Sequence, residues 1–402
     1  MTVPDHQDRP GRTELGRRLV ACGALGADWV ATFAAVDRAA FLPDVMWPFV
    51  DGWAVAVDRR TEPDAWYGHA DADLAIVTQW DDGEHDGGAE PGTVPTSSSS
   101  QPSVVHRLLA ALDADAGMAV LDAGTGTGET AARLAHRCGA RNVTTVEVDG
   151  GVSAAARERL RGQGLRDITT CVGDALAGCP GRDPYDRLLC TFGVRAVPVA
   201  WLEQVRAGGV IVVPYGTHYG NGDAVVRLTA HSDGTASGRF MAPVEFMKAR
   251  SHRLVWPDAE AYVTEWPAPG RTWLRPGEAA DATFVLSHAV PAVAHTTHTE
   301  PDGVRAAWFY SLTDHSWAAV RWPEGDDGPG EVHQQGPRRL WDSVERAYAW
   351  WEAQGRPEVE RFGLTVTPYG STVWLDEPGC RLPGARAAAG RETPWRPRRR
   401  AP

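Results

Sequence analysis

Apolar positions along the chain change their spacing several times, and each change predicts an element. Between Thr13 and Ala40, Leu15, Leu19, Val20, Leu25, Trp29, Val30, Phe33 and Val36 fit two short helices broken near Gly23 and Gly26. The run ending Phe41-Leu42-Pro43 closes at a proline. Val50 to Val57 alternates as a strand does, and Leu74-Ala75-Ile76-Val77 is a short apolar strand. Asp81 to Gly92 is acidic and glycine-rich, a solvated loop, and the serine run Ser97–Ser100 has the composition of a flexible linker. Val104, Val105, Leu108, Leu109 and Leu112 then recur at helical spacing.

From Ala119 to about Ala230 the chain alternates between the two periods. Strands are expected at 119–122, 143–148, 168–172, 187–191, 209–214 and 225–229, and helices at 129–138, 152–162 and 199–205. Such alternation implies an α/β fold: a parallel sheet with helices on both faces and ligands at the carboxyl ends of its strands. Past Ser232 the pieces shorten, with strands at 308–312, 317–322, 361–367 and 372–375 and a helix from Arg338 to Gln354. That region is expected to be a second, α+β domain. The division is therefore 1–95, an N-terminal helical segment and insertion packing on the central domain; 96–231, the ligand-binding core; 232–383, the α+β domain; and 384–402, a disordered tail rich in arginine and proline.

Composition narrows the partners. An apolar content of 43% suffices for a packed core, and a net charge of −12 argues against nucleic acid as the main partner. No run is apolar enough to cross a bilayer and the N-terminus lacks a signal-peptide core, so a cytoplasmic monomer without membrane contact is expected. Six cysteines show neither metal-type nor redox-pair spacing and read as reduced thiols. His295-Thr296-Thr297-His298 has metal-like spacing only on a helix, which Thr-Thr disfavours, so no metal is expected. Trp341, Trp350 and Trp351 read as core of the second domain, a peptide groove being the alternative.

The chemistry concentrates at strand ends. Asp122 precedes Gly124-Thr125-Gly126-Thr127-Gly128, a turn in which glycines let a ligand meet main chain and a following helix presents its amides. Glu147 ends the second strand, where an acid can accept from ribose hydroxyls, and Asp174 ends the third, where it can accept from an adenine amine. The loop is Gly-x-Gly-x-Gly after an acid, not the Gly-x-Gly-x-x-Gly of a dinucleotide site. A cofactor with ribose and adenine but no phosphate fits, namely S-adenosylmethionine. Ser99, Val148 and Ala175 complete the expected cofactor contacts.

Residues 36–216 resemble the protein L-isoaspartyl O-methyltransferases, through Val36–Pro43, Ser100-Gln101-Pro102, Val120–Gly128, Glu147, Gly173-Asp174 and Pro184–Arg187 on to Ala207–Pro214. The resemblance implies a Rossmann-like class I methyltransferase sheet. It also implies that Ser100 lies beside the carboxylate to be methylated, that Asp73 matches an acid upstream of it, and that Thr191 stands on the substrate-facing wall. The long extension resembles an actinobacterial branch associated with graspetide and lanthipeptide biosynthesis. That likeness implies methylation of an aspartate in a modified precursor peptide, giving an aspartimide that can open to isoaspartate. Isoaspartyl repair and a non-catalytic peptide-binding module are the alternatives.

Overall fold

The computed structural model describes residues 9–220, 222–300, 303–323 and 328–384. The polar start and the arginine-rich tail beyond Gly384 lie outside the described residues. The chain forms two compact units that interleave in sequence. The first comprises the chain to Phe192 with Pro198–Val213 and Thr229–Asp233; the second comprises Gly193–Val197, Pro214–Leu228 and the chain from Gly234. Among the described residues no helix is long and apolar enough to cross a membrane.

The first unit opens with α1 (Pro10–Ala21) and α2 (Val30–Ala35). Proline at the first helical position of α1 lacks an N–H that would have no partner there anyway. A small antiparallel sheet follows, built from β1 (Val45–Val50), β2 (Trp53–Ala54), β3 (Val57–Asp58), β4 (Ile76–Trp80) and β5 (Pro95–Ser99), with α3 (Pro63–Ala70) between β3 and β4 in sequence. Its order is β2-β1-β4-β5, with β3 also on β1.

Two expectations change here. The alternating stretch 50–57 is not one strand, because Asp51 and Gly52 turn the chain at φ 50° and 86° and Val50 pairs back on Trp53. The serine linker is strand β5, with Ser99 opposite Ile76 and Ser98 opposite Val77. Serine has little strand preference of its own, but here its backbone completes a ladder and its hydroxyls find partners, as Ser97 does with Thr78 Oγ1 at 3.1 Å.

The parallel sheet consists of β6 (Val120–Ala123), β7 (Val143–Glu147), β8 (Thr169–Val172), β9 (Tyr185–Cys190) and β10 (Val205–Tyr215), in the order β10-β9-β6-β7-β8. Its helices are α4 (Pro102–Leu112), α5 (Glu129–Cys138), α6 (Gly150–Gly162) and α7 (Val199–Gln204). All four residues of β6 are buried, as a central parallel strand requires. Consecutive strands run outward from β6 on one side to β8, and on the other through β9 to β10. That reversal opens a crevice at the carboxyl end of β6, where an α/β sheet binds its ligand.

The second unit contains β11 (Asp223–Ala230), β12 (Ala236–Val244), β13 (Gly270–Thr272), β14 (Val293–Thr299), β15 (Arg305–Ser311), β16 (Trp317–Trp322), β17 (Gly330–Gln335), β18 (Phe362–Thr367) and β19 (Gly370–Leu375). Its helices are α8 (Ala259–Tyr262), α9 (Pro276–Asp281), α10 (Thr283–Ala289) and α11 (Leu340–Ala353). One antiparallel sheet has the order β13-β17-β16-β15-β14. Trp341 of α11 packs on Phe309 and Trp322 of that sheet, with ring centroids 5.5 and 5.8 Å away. Its other face carries Trp308, Tyr310 and Trp317, met by Tyr262 and Trp266. Strands β12, β14 and β17 escape a sequence reading because their apolar alternation is weak; β14 reads Val-Ala-His-Thr-Thr-His-Thr. In a strand His295 and His298 face opposite sides.

A buried ion cluster ties the early segments of the second unit to the rest of it. Asp223 has no exposed side-chain surface and accepts from Arg195 Nη1 at 2.7 Å and from Lys248 Nζ. Side chains at two nearby positions would leave it no room: a Cβ on Gly193 would stand 2.6 Å from Asp223 Oδ2, and one on Gly216 2.0 Å from Oδ1. Removing the carboxylate strands two buried cations. Asp223→Ala should therefore cost about 3–5 kcal/mol in denaturant unfolding; a loss below about 1 kcal/mol would mean that the cations find other partners.

Candidate functional site

The turn after β6 needs its glycines. Gly124, Gly126 and Gly128 have φ of 95°, 51° and 93°, a region disfavoured for residues with a Cβ. A Cβ on Gly124 would lie 2.9 Å from the Phe192 ring and 3.2 Å from Thr191 Oγ1, and one on Gly126 would lie 3.4 Å from the Ser98 carbonyl oxygen. The loop is thus held between the end of β9 and strand β5. Thr191 Oγ1 donates to the Gly124 carbonyl at 3.1 Å. Glu147 Oε2 accepts from the Gly126 amide at 2.9 Å, so the expected ribose acceptor also braces the loop.

Below the loop, Thr125 and Thr145 hydroxyls meet at 2.7 Å, and Thr145 donates to Asp122 Oδ2 at 2.8 Å. Asp122 is wholly buried and its Oδ1 has no partner among the described residues. Burial, with a smaller push from the Glu147 charge, raises its pKa to about 7. Thr127 and Gly128 lead into α5; the Thr127 hydroxyl accepts from the Glu129 amide at 3.5 Å.

The far end of the crevice carries exposed apolar surface. Val148 follows β7 and Val172 ends β8 directly opposite Glu147, and the two are 45% and 60% exposed. Val172 escaped the sequence reading; an apolar residue at a strand's solvent end was the available signal. Asp174 Oδ1 accepts from the Leu176 amide at 2.9 Å and caps the short turn Ala175–Ala177, in which Ala175 is buried. The exposed Asp174 carboxylate keeps its other oxygen without a protein partner among the described residues.

On the serine side the two neighbours differ. Ser99 is buried; its hydroxyl accepts from Arg38 Nε at 2.8 Å and donates to Glu129 Oε2 at 3.0 Å. It therefore supports the site from behind rather than facing it. Ser100 is half-buried, and its hydroxyl has no protein partner among the described residues. It is not the cap of α4 either: the cap residue is Gln101, and Asp73 Oδ1 accepts from the Ser103 amide at 2.8 Å. Asp73 Oδ2 accepts from Gln101 Nε2 at 3.2 Å. Asp73 thus fixes the start of α4 just after Ser100.

Arg38, which the sequence reading did not single out, joins these parts. Its guanidinium is buried and donates to the carbonyls of Ala72 (3.1 Å), Leu74 (2.9 Å), Ser99 (3.1 Å) and Ser100 (3.2 Å). It also lies 3.8 Å from Glu129 at the start of α5, and Glu129 accepts from Arg133 Nη2 at 2.6 Å. The Asp73 segment, the serine segment and the helix after the glycine loop therefore share one cation.

Arg38→Met, similar in volume, leaves those carbonyls unpaired and should cost about 3 kcal/mol or more in unfolding free energy. Unchanged stability by denaturant titration would remove Arg38 as the tie. Asp122 offers a pH test. Its folded pKa of about 7 lies above the unfolded value near ~4, so its stabilising contribution is complete below about pH 4 and lost as pH rises through 7. Asp122→Asn should accordingly gain in Tm relative to the unsubstituted protein between pH 4 and pH 8; a constant offset would mean that the carboxyl titrates normally.

Comparison with known proteins gives a consistent picture. A model of the protein-L-isoaspartate(D-aspartate) O-methyltransferase family matches residues 88–253. The protein-L-isoaspartate O-methyltransferase of Xanthobacter autotrophicus is 43% identical over 117 residues, covering 29% of this chain and 52% of that protein. That of Rhodospirillum rubrum is 38% identical over 150 residues (37% of this chain, 67% of that one), and protein 2 of that name from Polaromonas sp. is 32% identical over 154 residues (38% and 72%). Against several of these relatives the chain spans about half of their length. A solved protein-L-isoaspartate O-methyltransferase superposes over 91% of this chain and 100% of its own, with TM-score 0.53 and 20% identity, so the fold is shared. That match runs far beyond the parallel sheet. The fold likeness therefore takes in the C-terminal region as well.

Proposed function

Since the chain belongs to the protein-L-isoaspartate O-methyltransferase family, we propose that it methylates the free carboxylate of an isoaspartyl residue in a peptide or protein, using S-adenosylmethionine. The observation that carries this reading is the meeting of the serine strand with the glycine loop at Gly126. It sets the segment ending in Ser100 beside the crevice of β6.

The residues present suit the cofactor. The carboxylate of Glu147 beside the loop would repel a pyrophosphate and accommodate a sulfonium, and beneath the loop the buried Asp122 Oδ1 lacks a hydrogen-bond partner among the described residues. Glu147 would take the ribose hydroxyls, Asp174 and the Ala175 turn the adenine amine, and Val148 with Val172 the faces of the purine. When bound, S-adenosylmethionine supplies a methyl group activated by positive sulfur.

The chain's own task is then alignment. A substrate carboxylate is ionised at neutral pH and needs no general base. Ser100, whose hydroxyl is uncommitted, would donate to one carboxylate oxygen and leave the other to attack in line. Positioning of this kind accounts for large rate factors without acid–base chemistry. Thr191, bound to the Gly124 carbonyl, would form the wall opposite.

A narrower reading makes the substrate an aspartate of a modified precursor peptide. Its support was the resemblance of the long C-terminal region to an actinobacterial branch; the matched family and relatives are isoaspartate methyltransferases and favour the isoaspartyl reading. Incubating the protein with S-adenosylmethionine and matched isoaspartyl and aspartyl peptides distinguishes the readings. S-adenosylhomocysteine should accumulate with the isoaspartyl peptide alone; its absence there would overturn the assignment. Ser100→Ala should lower kcat/KM about tenfold or more while leaving Tm unchanged, and full activity would take Ser100 out of the mechanism.

A further inference from the structure

The two cysteines that flank the Asp174 loop are brought together by the fold. Cys171 lies in β8 and Cys179 follows the turn Ala175–Ala177, and their sulfurs are 2.8 Å apart. Nothing in their spacing announces this; they are separated by a glycine-bearing turn whose path only the folded chain shows. Both are half-exposed free thiols, open to small solutes.

The backbone beneath both sulfurs is anchored. Near the start of the loop, the Gly173 amide donates to the Glu147 carbonyl at 2.8 Å. After it, the Cys179 amide donates to Gln204 Oε1 and Gln204 Nε2 donates to the Ala177 carbonyl, each at 2.9 Å. Tyr185 also donates to the Cys179 carbonyl, at 3.1 Å. The sulfurs already stand 2.8 Å apart, against the about 2.05 Å of a sulfur–sulfur bond.

We propose that Cys171 and Cys179 form a reversible disulfide that fixes the Asp174 loop for cofactor binding. The oxidant class is a peroxide. One thiolate attacks a peroxide oxygen, giving a sulfenic acid and, with a proton, water; the second sulfur displaces the sulfenic oxygen as another water. Two thiols and one hydrogen peroxide thus become one disulfide and two waters, and a small dithiol reverses the change by exchange. Burial and its contact with Cys179 push the Cys171 thiol up to about 11.

The effect on binding rests on the reading of Asp174 and Ala175 as the adenine end of the site. A loop of seven residues, 172–178, carries those groups between the two sulfurs. Bonding its ends removes conformational freedom that the loop otherwise loses when ligand binds. The oxidised protein should bind S-adenosylhomocysteine about 3- to 10-fold more tightly than the reduced protein.

The test uses the full chain with Cys22 and Cys380 changed to serine, in reduced and hydrogen peroxide-treated forms. Trypsin releases residues 167–182 as one peptide holding both thiols. Its mass should fall by two hydrogens on oxidation, return with dithiothreitol, and show no such two-hydrogen loss in a Cys171→Ser protein, where any oxidation adds oxygen instead. Calorimetry with S-adenosylhomocysteine should show the tighter affinity only in the oxidised form that retains both cysteines. No mass loss overturns the disulfide. Mass loss with equal affinities in the two states overturns its control of the loop. If no form binds S-adenosylhomocysteine, the cofactor reading of the crevice fails and the control of binding fails with it, while the mass readout still decides the disulfide.

Discussion

A cation without water holds the first unit together. Placing the Arg38 guanidinium among carbonyls costs several kcal/mol of lost hydration, an expense met only when its N–H groups find acceptors and an anion lies near. The acceptors come from residues 70–74 and 99–100, and the anion is Glu129. Burial lowers the guanidinium to about 10, which leaves it charged at neutral pH. Three stretches that are distant in sequence consequently cannot shift independently. The serine segment, the acid that starts α4 and the helix after the glycine loop move as one body.

That constraint separates roles among side chains that look alike in the sequence. Ser99 and Ser100 are adjacent and identical, yet one hydroxyl is spent between Arg38 and Glu129 while the other stays open. The acids divide in the same way. Asp122 is sealed beneath the loop and titrates near neutrality, Glu147 braces Gly126, and Asp174 caps a turn with an oxygen to spare. Each local duty is a structural use of the kind any capping or buried acid has, and Glu147 and Asp174, unlike the sealed Asp122, keep surface open to solvent. A structural duty does not bar such an acid from a further one, because a carboxylate accepts more than one hydrogen bond.

The second unit solves its own version of the buried-charge problem. Asp223 is enclosed by Arg195 and Lys248, and Gly193 and Gly216 stand where any side chain would collide with it. The aromatic residues of its antiparallel sheet and of α11 are used mainly for packing: Trp317 of β16 and Trp341 of α11 are fully buried. The fold match to a solved isoaspartate methyltransferase extends over this region as well.

Sequence by itself determined the alternating α/β core, the glycine turn after Asp122 and the acids at strand ends. These signals are local: side-chain period, φ above zero at glycine, and an acid closing an apolar run all lie within a few residues. Helices α5 and α11 were legible to within two residues for the same reason. Tertiary structure alone decided that the serine run is a strand, that β14 is not helical, that Arg38 is the tie and that Cys171 meets Cys179. Those outcomes depend on which distant segments supply hydrogen-bond partners and bury charge, and no short-range pattern records that. A serine strand has no apolar alternation to display; its place in the sheet is paid for by the ladder and by the partners of its hydroxyls.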